Sequence, residues 1–389
     1  MTFEPTRSAA LARLSAFAPK MGRAYASNRN ADVPGHPHVS GLSPYLRHRI
    51  LTEDEVLEEV LRHHAPSTAE KFIQEVYWRT YWKGWLEQRP SVWTSYRAGL
   101  QQALNRVQSE SGLRRDWEAA CKGETEFDCM NHWAQELVST GYLHNHARMW
   151  FASIWVFTLR LPWELGADFF MRHLLDGDPA SNTLGWRWVA GLQTIGKTYL
   201  ARPDNIAKYT EGRFRPTGLA TFAAPLDGPP HPERGPVPQS GSIPSGKIGL
   251  LITEDDLSPD WVLEDVETAS IAAYNGTAHR SPLEVAPHVG AFVEGALSDL
   301  EGRIGPFERP ETPADIDDWT KSQGLEAIVM SYSPVGGTSD AVREVKTPII
   351  QRVRPYDARA WPHAKAGFFK FKSQIPKLLK VYDKQGQLI

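Results

Sequence analysis

A Pro- and Gly-rich stretch at residues 216–246 divides this 389-residue chain into two parts with different sequence patterns. Before it, from about residue 41 to 208, apolar residues recur mostly at helical spacing. After it, short apolar runs alternate with helical patterns, which indicates parallel strands joined by helices. The sequence therefore predicts an α + α/β protein of two domains. A helical domain at residues 1–215 is followed by a linker at residues 216–246 and a doubly wound α/β domain at residues 247–389.

The composition is that of an ordinary globular protein, with 41% hydrophobic and 23% charged residues. The apolar runs are shorter than a membrane span, and the N-terminus lacks the pattern of a secretory signal. We therefore expect a cytoplasmic protein that does not contact membranes. The two cysteines, Cys121 and Cys129, are too few for a four-thiolate metal site, and the sequence predicts no bound metal.

Charged and aromatic residues are distributed unevenly. Residues 1–220 carry 26 Lys+Arg and 23 Asp+Glu, whereas the remainder carries 17 and 23. Eleven of the 14 tryptophans also lie before residue 220. The first half is therefore the part expected to meet a polyanion or to hold an aromatic, redox-active ligand.

Capping and stop signals mark several helices of the first half. Thr52 with three following acids predicts a helix start, and Ser67-Thr-Ala-Glu70 predicts a capping box that opens a helix through Leu86. Further helices are expected from Cys129 to Thr140 and from His144 to Leu159. In the second half the predicted strands are 247–253, 269–274, 325–331 and 348–352, with helices over 281–304 and 312–324.

The segment from Asp176 to Trp188 contains the densest set of candidate functional residues: Asp176, Asp178, Asn182, Trp186 and Trp188. Acids and amides can bind ring N–H groups or ribose hydroxyls, and indoles can stack or pass electrons. This combination fits a planar, redox-active ligand. The alternative is a Gly/Asp-rich turn that leads into an aromatic helix.

Two other groups of residues could line the same cavity. One helix face carries Glu75, Trp78, Arg79 and Trp82 and could form a cavity wall. The alternative is that the two tryptophans belong to the core and that Glu75 forms an ion pair with Arg79, four residues later. In the second group, Arg148 needs an acidic partner, for which Asp176 and Asp178 are available. His144 and His146 are two residues apart and point to different sides of a helix, so they make a poor metal pair.

Three motifs, in their order and spacing, resemble the FAD-binding domain of the DNA photolyase and cryptochrome family. They are residues 72–79, residues 140–149 and residues 176–188. Upstream, Val39-Ser-Gly-Leu-Ser43 resembles the family's diphosphate loop, with Tyr25 at a fitting distance before it. The resemblance covers residue 25 to about residue 208 and implies FAD as the cofactor.

The resemblance also implies a role for each matching residue. The cofactor-binding set is Tyr25, Ser40, Gly41, Leu42, Ser43, Arg79, Arg148, Asp176, Asp178 and Asn182. Trp186 and Trp163 are the implied first and second electron donors to excited flavin, and Asn182 faces flavin N5. The residues implied to bind a pyrimidine dimer flipped from DNA are Glu75, Trp78, Asn145, His146, Met149 and Trp188. Among these, Glu75 is also counted with Trp186, Trp163 and Asn182 as catalytic.

The chain departs from the family pattern at four points. Val39 replaces the usual threonine of the diphosphate loop, and His146 replaces a second basic contact. A third tryptophan of the electron chain is not evident, and the candidates are Trp93, Trp117, Trp150, Trp155 and Tyr142. The helical domain also precedes the α/β domain, which predicts a circularly permuted arrangement. An antenna pigment is not predictable.

Three functions are consistent with these residues. The first is blue-light-driven repair of cyclobutane pyrimidine dimers, with damaged DNA as the partner and deoxyribodipyrimidine photolyase as the enzyme class. The second is a cryptochrome-like photoreceptor without repair activity, which would require a protein partner. The third is a flavoprotein without photochemistry, in which the tryptophans only build the core.

Overall fold

The computed structural model describes residues 1–264 and 266–383. Its first half is built from helices that pack around one aromatic core. These helices are α1 (Arg7–Phe17), α2 (Arg23–Asn28), α3 (Ser43–Arg47), α4 (Glu53–His63), α5 (Glu70–Glu87), α6 (Ser91–Ser109), α7 (Ser111–Lys122), α8 (Asp128–Thr140), α9 (Asn145–Ser153), α10 (Trp163–His173), α11 (Pro179–Val189) and α12 (Pro203–Tyr209).

Local signals set several of the helix ends. Thr52 and Glu55 form a capping box at the start of α4, as predicted. Gly141 ends α8 with a left-handed φ of 68°, which a glycine adopts without strain. The capping box predicted at Ser67 to Glu70 is wrong. A turn held by the Thr68 and Ala69 N–H groups on the Ala65 carbonyl leads directly into α5, so no side chain caps this helix.

The predicted helix from His144 to Leu159 is interrupted. The α-helix α9 ends at Ser153 and continues as a π-helical segment from Ile154 to Thr158. Such segments insert one extra residue per turn and change the direction of the following side chains. Here the change is accompanied by deep burial of Trp155, whose indole N–H donates to the Pro162 carbonyl at 2.9 Å.

The second half contains a four-stranded parallel sheet in the order β2-β1-β3-β4. In register, Gly249 of β1 lies opposite Ser270 of β2 and Ile328 of β3. The strands match the four predicted from sequence and are β1 (Ile248–Thr253), β2 (Ser270–Tyr274), β3 (Ala327–Ser331) and β4 (Ile349–Arg352). The accompanying helices are α13 (Asp260–Leu263), α14 (Pro287–Ile304), α15 (Pro313–Ser322), α16 (Gly337–Val342), α17 (Pro355–Ala360), α18 (Phe368–Lys372), α19 (Ile375–Leu378) and α20 (Lys380–Asp383).

Helix α14 begins later than the sequence predicts. Residues 276–280 form a short 3₁₀ turn, and the α-helix starts only at Pro287, which occupies its first turn. Between them, the Ser281 hydroxyl donates to Asp168 of α10 at 2.6 Å and accepts from the Leu283 N–H. This contact with the helical half holds residues 281–283 out of the helix.

The carboxyl ends of the strands face the helical half. Asp255 and Asp256, directly after β1, bind Arg47 at 2.7 Å and Arg354 at 2.7 Å respectively. Arg49 pairs with Asp357 across the same boundary. Open α/β sheets usually bind ligands at this edge. In this chain, buried ion pairs fill it instead, and two of them, Arg47–Asp255 and Arg49–Asp357, join the two halves.

Residues 216–246 form no helix or strand. Within the residues that the structure describes, no helix combines the length and the apolar character needed to cross a bilayer.

Candidate functional site

An ion pair between α9 and the loop before α11 lies at the centre of the predicted cofactor site. Arg148 Nη2 donates to Asp176 Oδ2 at 2.8 Å, and Arg148 Nε donates to the Leu143 carbonyl at 2.8 Å. Burial alone would raise the pKa of Asp176, but Arg148 and a hydrogen bond from Ser43 outweigh it and lower that pKa. Both groups therefore stay charged, and the sequence prediction that Arg148 pairs with one of the two acids is confirmed for Asp176.

Several polar atoms of the predicted cofactor residues are buried without a hydrogen-bond partner in the described part of the chain. They are Nε and Nη2 of Arg79 and Oδ1 of Asp176, and Nε1 of Trp186 on α11 is also unpartnered. An unpartnered buried donor or acceptor costs about 1–3 kcal/mol, so four of them among the predicted site residues need an explanation. A bound polar ligand that supplies acceptors to Arg79 and a donor to Asp176 would satisfy them. The residues present thus fit a flavin cofactor.

Asp178 has a structural partner that sequence reasoning missed. Its carboxylate caps α11 by accepting from the Ser181 N–H at 2.8 Å, and it lies 3.4 Å from Lys83 Nζ. Burial opposes ionisation, but Lys83, Arg79 and Arg47 lower the pKa of Asp178 far below its ordinary value. Lys83 lies one helical turn after Arg79 on α5, and this spacing was the only available sequence signal.

The loop predicted to hold the diphosphate adopts a turn that leads into α3. Gly41 has a φ of 63°, in the left-handed region that favours glycine. Ser40 Oγ accepts weakly from the Leu42 N–H at 3.4 Å, and Ser43 reaches Asp176. The loop therefore lies beside the Arg148–Asp176 pair. Tyr25 lies on α2, where its hydroxyl is hydrogen-bonded to Arg29.

Trp186 is buried where α11 crosses α10. Its ring makes edge-to-face contacts with Phe151, Trp155 and Phe170 at centroid distances of 6.4, 6.1 and 5.1 Å. Gly166 of α10 makes this crossing possible, because a Cβ there would lie 2.3 Å from Trp186 Cη2. One turn earlier on α11, Asn182 donates to the Ala167 carbonyl at 2.8 Å and fixes its amide.

The aromatic rings next to Trp163 indicate which residues could be the third electron donor. Trp163 contacts Tyr96 at 5.6 Å, and Tyr96 contacts Trp93 at 5.3 Å, which makes a continuous row of rings onto α6. Trp155 contacts Trp186 directly but is fully buried. Trp150 stacks between Trp133 and His146 instead. Trp93 and Trp155 are therefore the candidates with an aromatic connection to the predicted donors.

The indole of Trp78, predicted to stack on a base, already stacks on a ring of this chain. Phe368 of α18 lies parallel to it, with a centroid distance of 3.5 Å and an interplanar angle of 11°. Trp82 and Tyr81 contact the same indole at 5.3 and 5.7 Å. A sequence separation of 290 residues made this contact invisible to pattern analysis.

Glu75 forms an ion pair that changes the predicted pocket. It binds Arg29, directly after α2, and not Arg79, so the alternative of a Glu75–Arg79 pair is wrong. Burial raises the pKa of Glu75, and Arg29 opposes this effect. Arg29 is a cation in the pocket that sequence reasoning missed. Its position four residues after Tyr25, on the same helix face, was the available signal.

The remaining pocket residues lie at the start of α9 and the end of α11. Asn145 and Met149 are in contact at 4.0 Å, and Trp188 stacks on Tyr199 at 5.7 Å. One ring nitrogen of His144 and one of His146 are hydrogen-bonded to the Arg29 and Asn30 carbonyls, and the role of His146 in binding DNA stays a prediction. Burial lowers the pKa of His146, which keeps it neutral.

A second cluster of titratable groups brings Asp32, His36 and Glu136 within 4.8 Å of one another. His36 Nε2 lies 2.7 Å from Glu136, while His36 Nδ1 faces Asp32 at 3.5 Å. One imidazole therefore directs its two nitrogens to different carboxylates, and a single ion cannot use both. Arg213 already pairs with Asp32 at 3.0 Å, which gives one carboxylate of the cluster a cationic partner within the protein.

Comparison with known proteins gives consistent results for the helical half. Residues 72–214 match the family described as the FAD binding domain of DNA photolyase. The deoxyribodipyrimidine photo-lyase of Escherichia coli (strain K12) is 31% identical over 205 residues, which are 51% of this chain and 42% of that protein. The same enzyme of Thermus thermophilus is 33% identical over 205 residues, 50% of this chain and 45% of that protein.

Two solved structures are similar to this chain over about half of its length. A bacterial class III photolyase from Agrobacterium tumefaciens has a TM-score of 0.43 at 25% identity and covers 52% of this chain and 42% of its own. A Synechocystis sp. PCC6803 cryptochrome has a TM-score of 0.44 at 23% identity, and the match covers 54% of this chain and 44% of the cryptochrome.

The buried ion pair, the unpartnered polar atoms and the packed indoles define the helical half as a flavin-binding domain. Residues 72–214 of this half match the FAD-binding domain of DNA photolyase, and its cofactor is FAD. The predicted resemblance to that domain and the predicted FAD cofactor are thereby confirmed. The chain spans less than half the length of the curated relatives that it matches. The permuted order of the two halves and the individual roles of the site residues stay predictions.

Proposed function

We propose that this chain is an FAD flavoprotein that splits cyclobutane pyrimidine dimers in DNA by electron transfer driven by blue light. The observation that carries the proposal is the position of Trp186. This buried indole packs on Gly166 of α10 and leaves its own Nε1 unpartnered, as Arg79 Nε and Nη2 and Asp176 Oδ1 are. When bound, FAD supplies the light absorption and the electron.

The residues of this chain would hold and tune the cofactor. Ser40 and Ser43 offer hydroxyls to the diphosphate, and Arg79 offers two free guanidinium nitrogens. The Arg148–Asp176 pair places a fixed positive and a fixed negative charge side by side in a buried setting, where charges act strongly. Trp163, Tyr96 and Trp93 would carry an electron from α6 toward Trp186.

Repair requires a pocket that accepts two linked bases. Asn145 and Met149 at the exposed start of α9 and Trp188 on α11 offer an amide, a thioether and an indole to such a substrate. Stacking of a base on an aromatic side chain contributes about 1–3 kcal/mol, which helps to offset the cost of taking the bases out of the helix. The relatives matched by the helical half are deoxyribodipyrimidine photo-lyases, which supports DNA as the substrate.

A second function, that of a cryptochrome-like photoreceptor without repair, is favoured by how the pocket is filled. Phe368 occupies a stacking position on Trp78, and Arg29 neutralises Glu75. A dimer would have to displace the first contact and compete with the second. A photoreceptor requires neither step.

The deciding experiment is repair of a dimer-containing single-stranded oligonucleotide by the purified, photoreduced protein under blue light. Trp78→Ala is the test variant. Trp117→Ala, which removes another half-buried indole on α7 outside the pocket, is the matched control.

Loss of dimers in light only, abolished by Trp78→Ala and retained in Trp117→Ala, would support repair. Flavin photoreduction without any loss of dimers would favour the photoreceptor. Purified protein that cannot be loaded with FAD would refute both functions.

A further inference from the structure

The segment 361–382, called here the lysine segment, has a composition unlike its surroundings. It contains Lys365, Lys370, Lys372, Lys377 and Lys380 and not one Asp or Glu. Residues 221–389 as a whole carry 17 basic and 23 acidic residues, so the other residues of this half are strongly acidic. A local concentration of one charge in an acidic half indicates a specific use.

The lysine segment runs along α5, the helix that carries Glu75, Trp78 and Arg79. Lys372 pairs with Glu70 at 2.9 Å near the start of α5. Tyr81 donates to the Ala366 carbonyl at 2.8 Å in its middle, and Arg89 donates to the Lys365 carbonyl at 3.0 Å beyond its end. Residues 365–372 of the segment thus lie along the helix that carries the candidate dimer pocket, whereas Tyr382 donates to Asp54 of α4.

The two faces of the lysine segment differ in character. Phe368 and Phe371 are buried against α5, where they contact Trp78, Tyr77 and Tyr81. The other face exposes Phe369, whose accessible fraction is 83%, beside Lys370. This face therefore combines an exposed aromatic ring, Phe369, with a cation, Lys370. They are one and two residues after Phe368, the ring that covers Trp78.

Most of the positive charge on that face has no acidic neighbour. Within residues 1–264 and 266–383, only Lys372 of the five lysines has a carboxylate within 4.0 Å. Lys365 and Lys377 lie close enough together for both to act on His363, whose pKa is lowered by burial and by these two cations. Like charges gathered in this way repel one another unless a polyanion binds them.

We propose that the lysine segment binds the phosphate backbone of the DNA strand whose damaged bases enter the pocket, and that Phe369 stacks on a neighbouring base. This inference rests on the proposed function, because it assigns the phosphate contacts of that substrate. Single-stranded nucleic acids are bound by this combination of cations along the backbone and aromatic rings for the bases.

The charge distribution explains why such a segment is needed. Affinity for DNA comes largely from phosphate contacts, and residues 1–220 have an excess of only three positive charges. The lysine segment supplies five cations from the other end of the chain. A membrane is a poorer partner, because membrane-binding segments insert a broad apolar face, and here Phe368 and Phe371 are buried on α5 while only Phe369 and Val381 of the large apolar side chains in residues 361–382 are exposed.

The test measures binding of a fluorescent single-stranded oligonucleotide over a range of salt concentrations with the full-length, FAD-loaded protein. The test variant replaces Lys365, Lys370, Lys377 and Lys380 with Gln. The control variant replaces four other exposed lysines with Gln: Lys122, Lys247, Lys321 and Lys346. Flavin absorbance and photoreduction are recorded for each protein.

In the test variant, we expect the slope of log K against log salt to become shallower by about 0.7 for each lysine that contacts a phosphate. Affinity should fall at least about tenfold, whereas the control variant and the flavin photoreduction of both should match the wild type. Phe369→Ala should weaken binding about fivefold or more without changing the slope.

Equal slopes in the wild type and the test variant, with repair intact in both, would overturn the inference and leave the proposed function standing. A wild type that photoreduces its flavin but binds no DNA would instead refute repair and the inference together. Binding of phosphatidylserine vesicles through the four lysines, without DNA binding, would overturn the inference in favour of a membrane.

Discussion

Gly166→Ala tests the packing of Trp186 most directly. A Cβ at residue 166 would lie 2.3 Å from Cη2 and 2.5 Å from Cζ3 of Trp186, and 3.0 Å from Cε2 of Trp155. Both rings are rigid, and their side chains are almost wholly buried. Neither ring can move aside without displacing its own neighbours in the aromatic core.

Overpacking of this kind costs about 1–3 kcal/mol. The replacement also gains about 1 kcal/mol because alanine is a better helix former than glycine. We expect a net loss of up to about 2 kcal/mol in the free energy of unfolding, seen as a Tm lower by up to about 2–3 °C. Because Trp186 must shift, photoreduction of the bound flavin should also slow.

The assay combines thermal unfolding of the FAD-loaded protein with the rate of flavin photoreduction under blue light. Gly290→Ala in α14 is the matched control, because its added Cβ has no heavy atom within 4 Å. That variant should gain about 0.5–1 kcal/mol and photoreduce normally. A Gly166→Ala protein that is as stable as this control and photoreduces at the wild-type rate would refute the packing described for Trp186.

Three other side chains have predictable effects. Asp176→Asn leaves Arg148 buried without its partner and should cost about 3–5 kcal/mol in the free energy of unfolding. Because the pKa of Asp176 is lowered in the folded protein, the stability that its charge contributes is present above about pH 4 and is lost as the pH falls. Plots of Tm against pH for the variant and the wild type should therefore converge in acid. Glu87 has its pKa raised to about 7 by burial, so the wild type should lose stability as the pH rises toward 7, and Glu87→Gln should be the more stable protein at pH 8 but not at pH 4. Phe368→Ala removes the ring stacked on Trp78 and should weaken the packing of the lysine segment on α5 by about 3–5 kcal/mol. Trypsin should then cleave at the lysines after residue 364 faster than in the wild type. Equal cleavage rates would contradict this packing.

Much of the fold was predictable because its signals are local. The capping box at Thr52, the stop at Gly141 and the four apolar strands each depend on residues close together in the sequence. Where a local signal competed with a tertiary contact, the tertiary contact prevailed. The start of α14 moved to Pro287 because Ser281 binds Asp168 of the other half.

The candidate site was predictable only as a set of residues. The family motifs brought together Arg148 and Asp176, which the structure joins by an ion pair. They did not give the partners of Glu75 or Asp178, which are Arg29 and Lys83. Helical spacing identifies which residues share a face, but it contains no information on what that face meets.

The sequence by itself therefore determined the helical and α/β character of the two halves and the flavin cofactor, and it proposed the residues around that cofactor. Periodicity, capping and a family motif depend on residues that are close in the sequence, so they can be recognised without the structure. The tertiary structure alone decided that Phe368 covers Trp78, that ion pairs fill the carboxyl edge of the sheet, and that the lysine segment lies beside the pocket. Those contacts join residues far apart in the chain, because burial of apolar surface and pairing of charge depend on where the folded chain places them and not on their order.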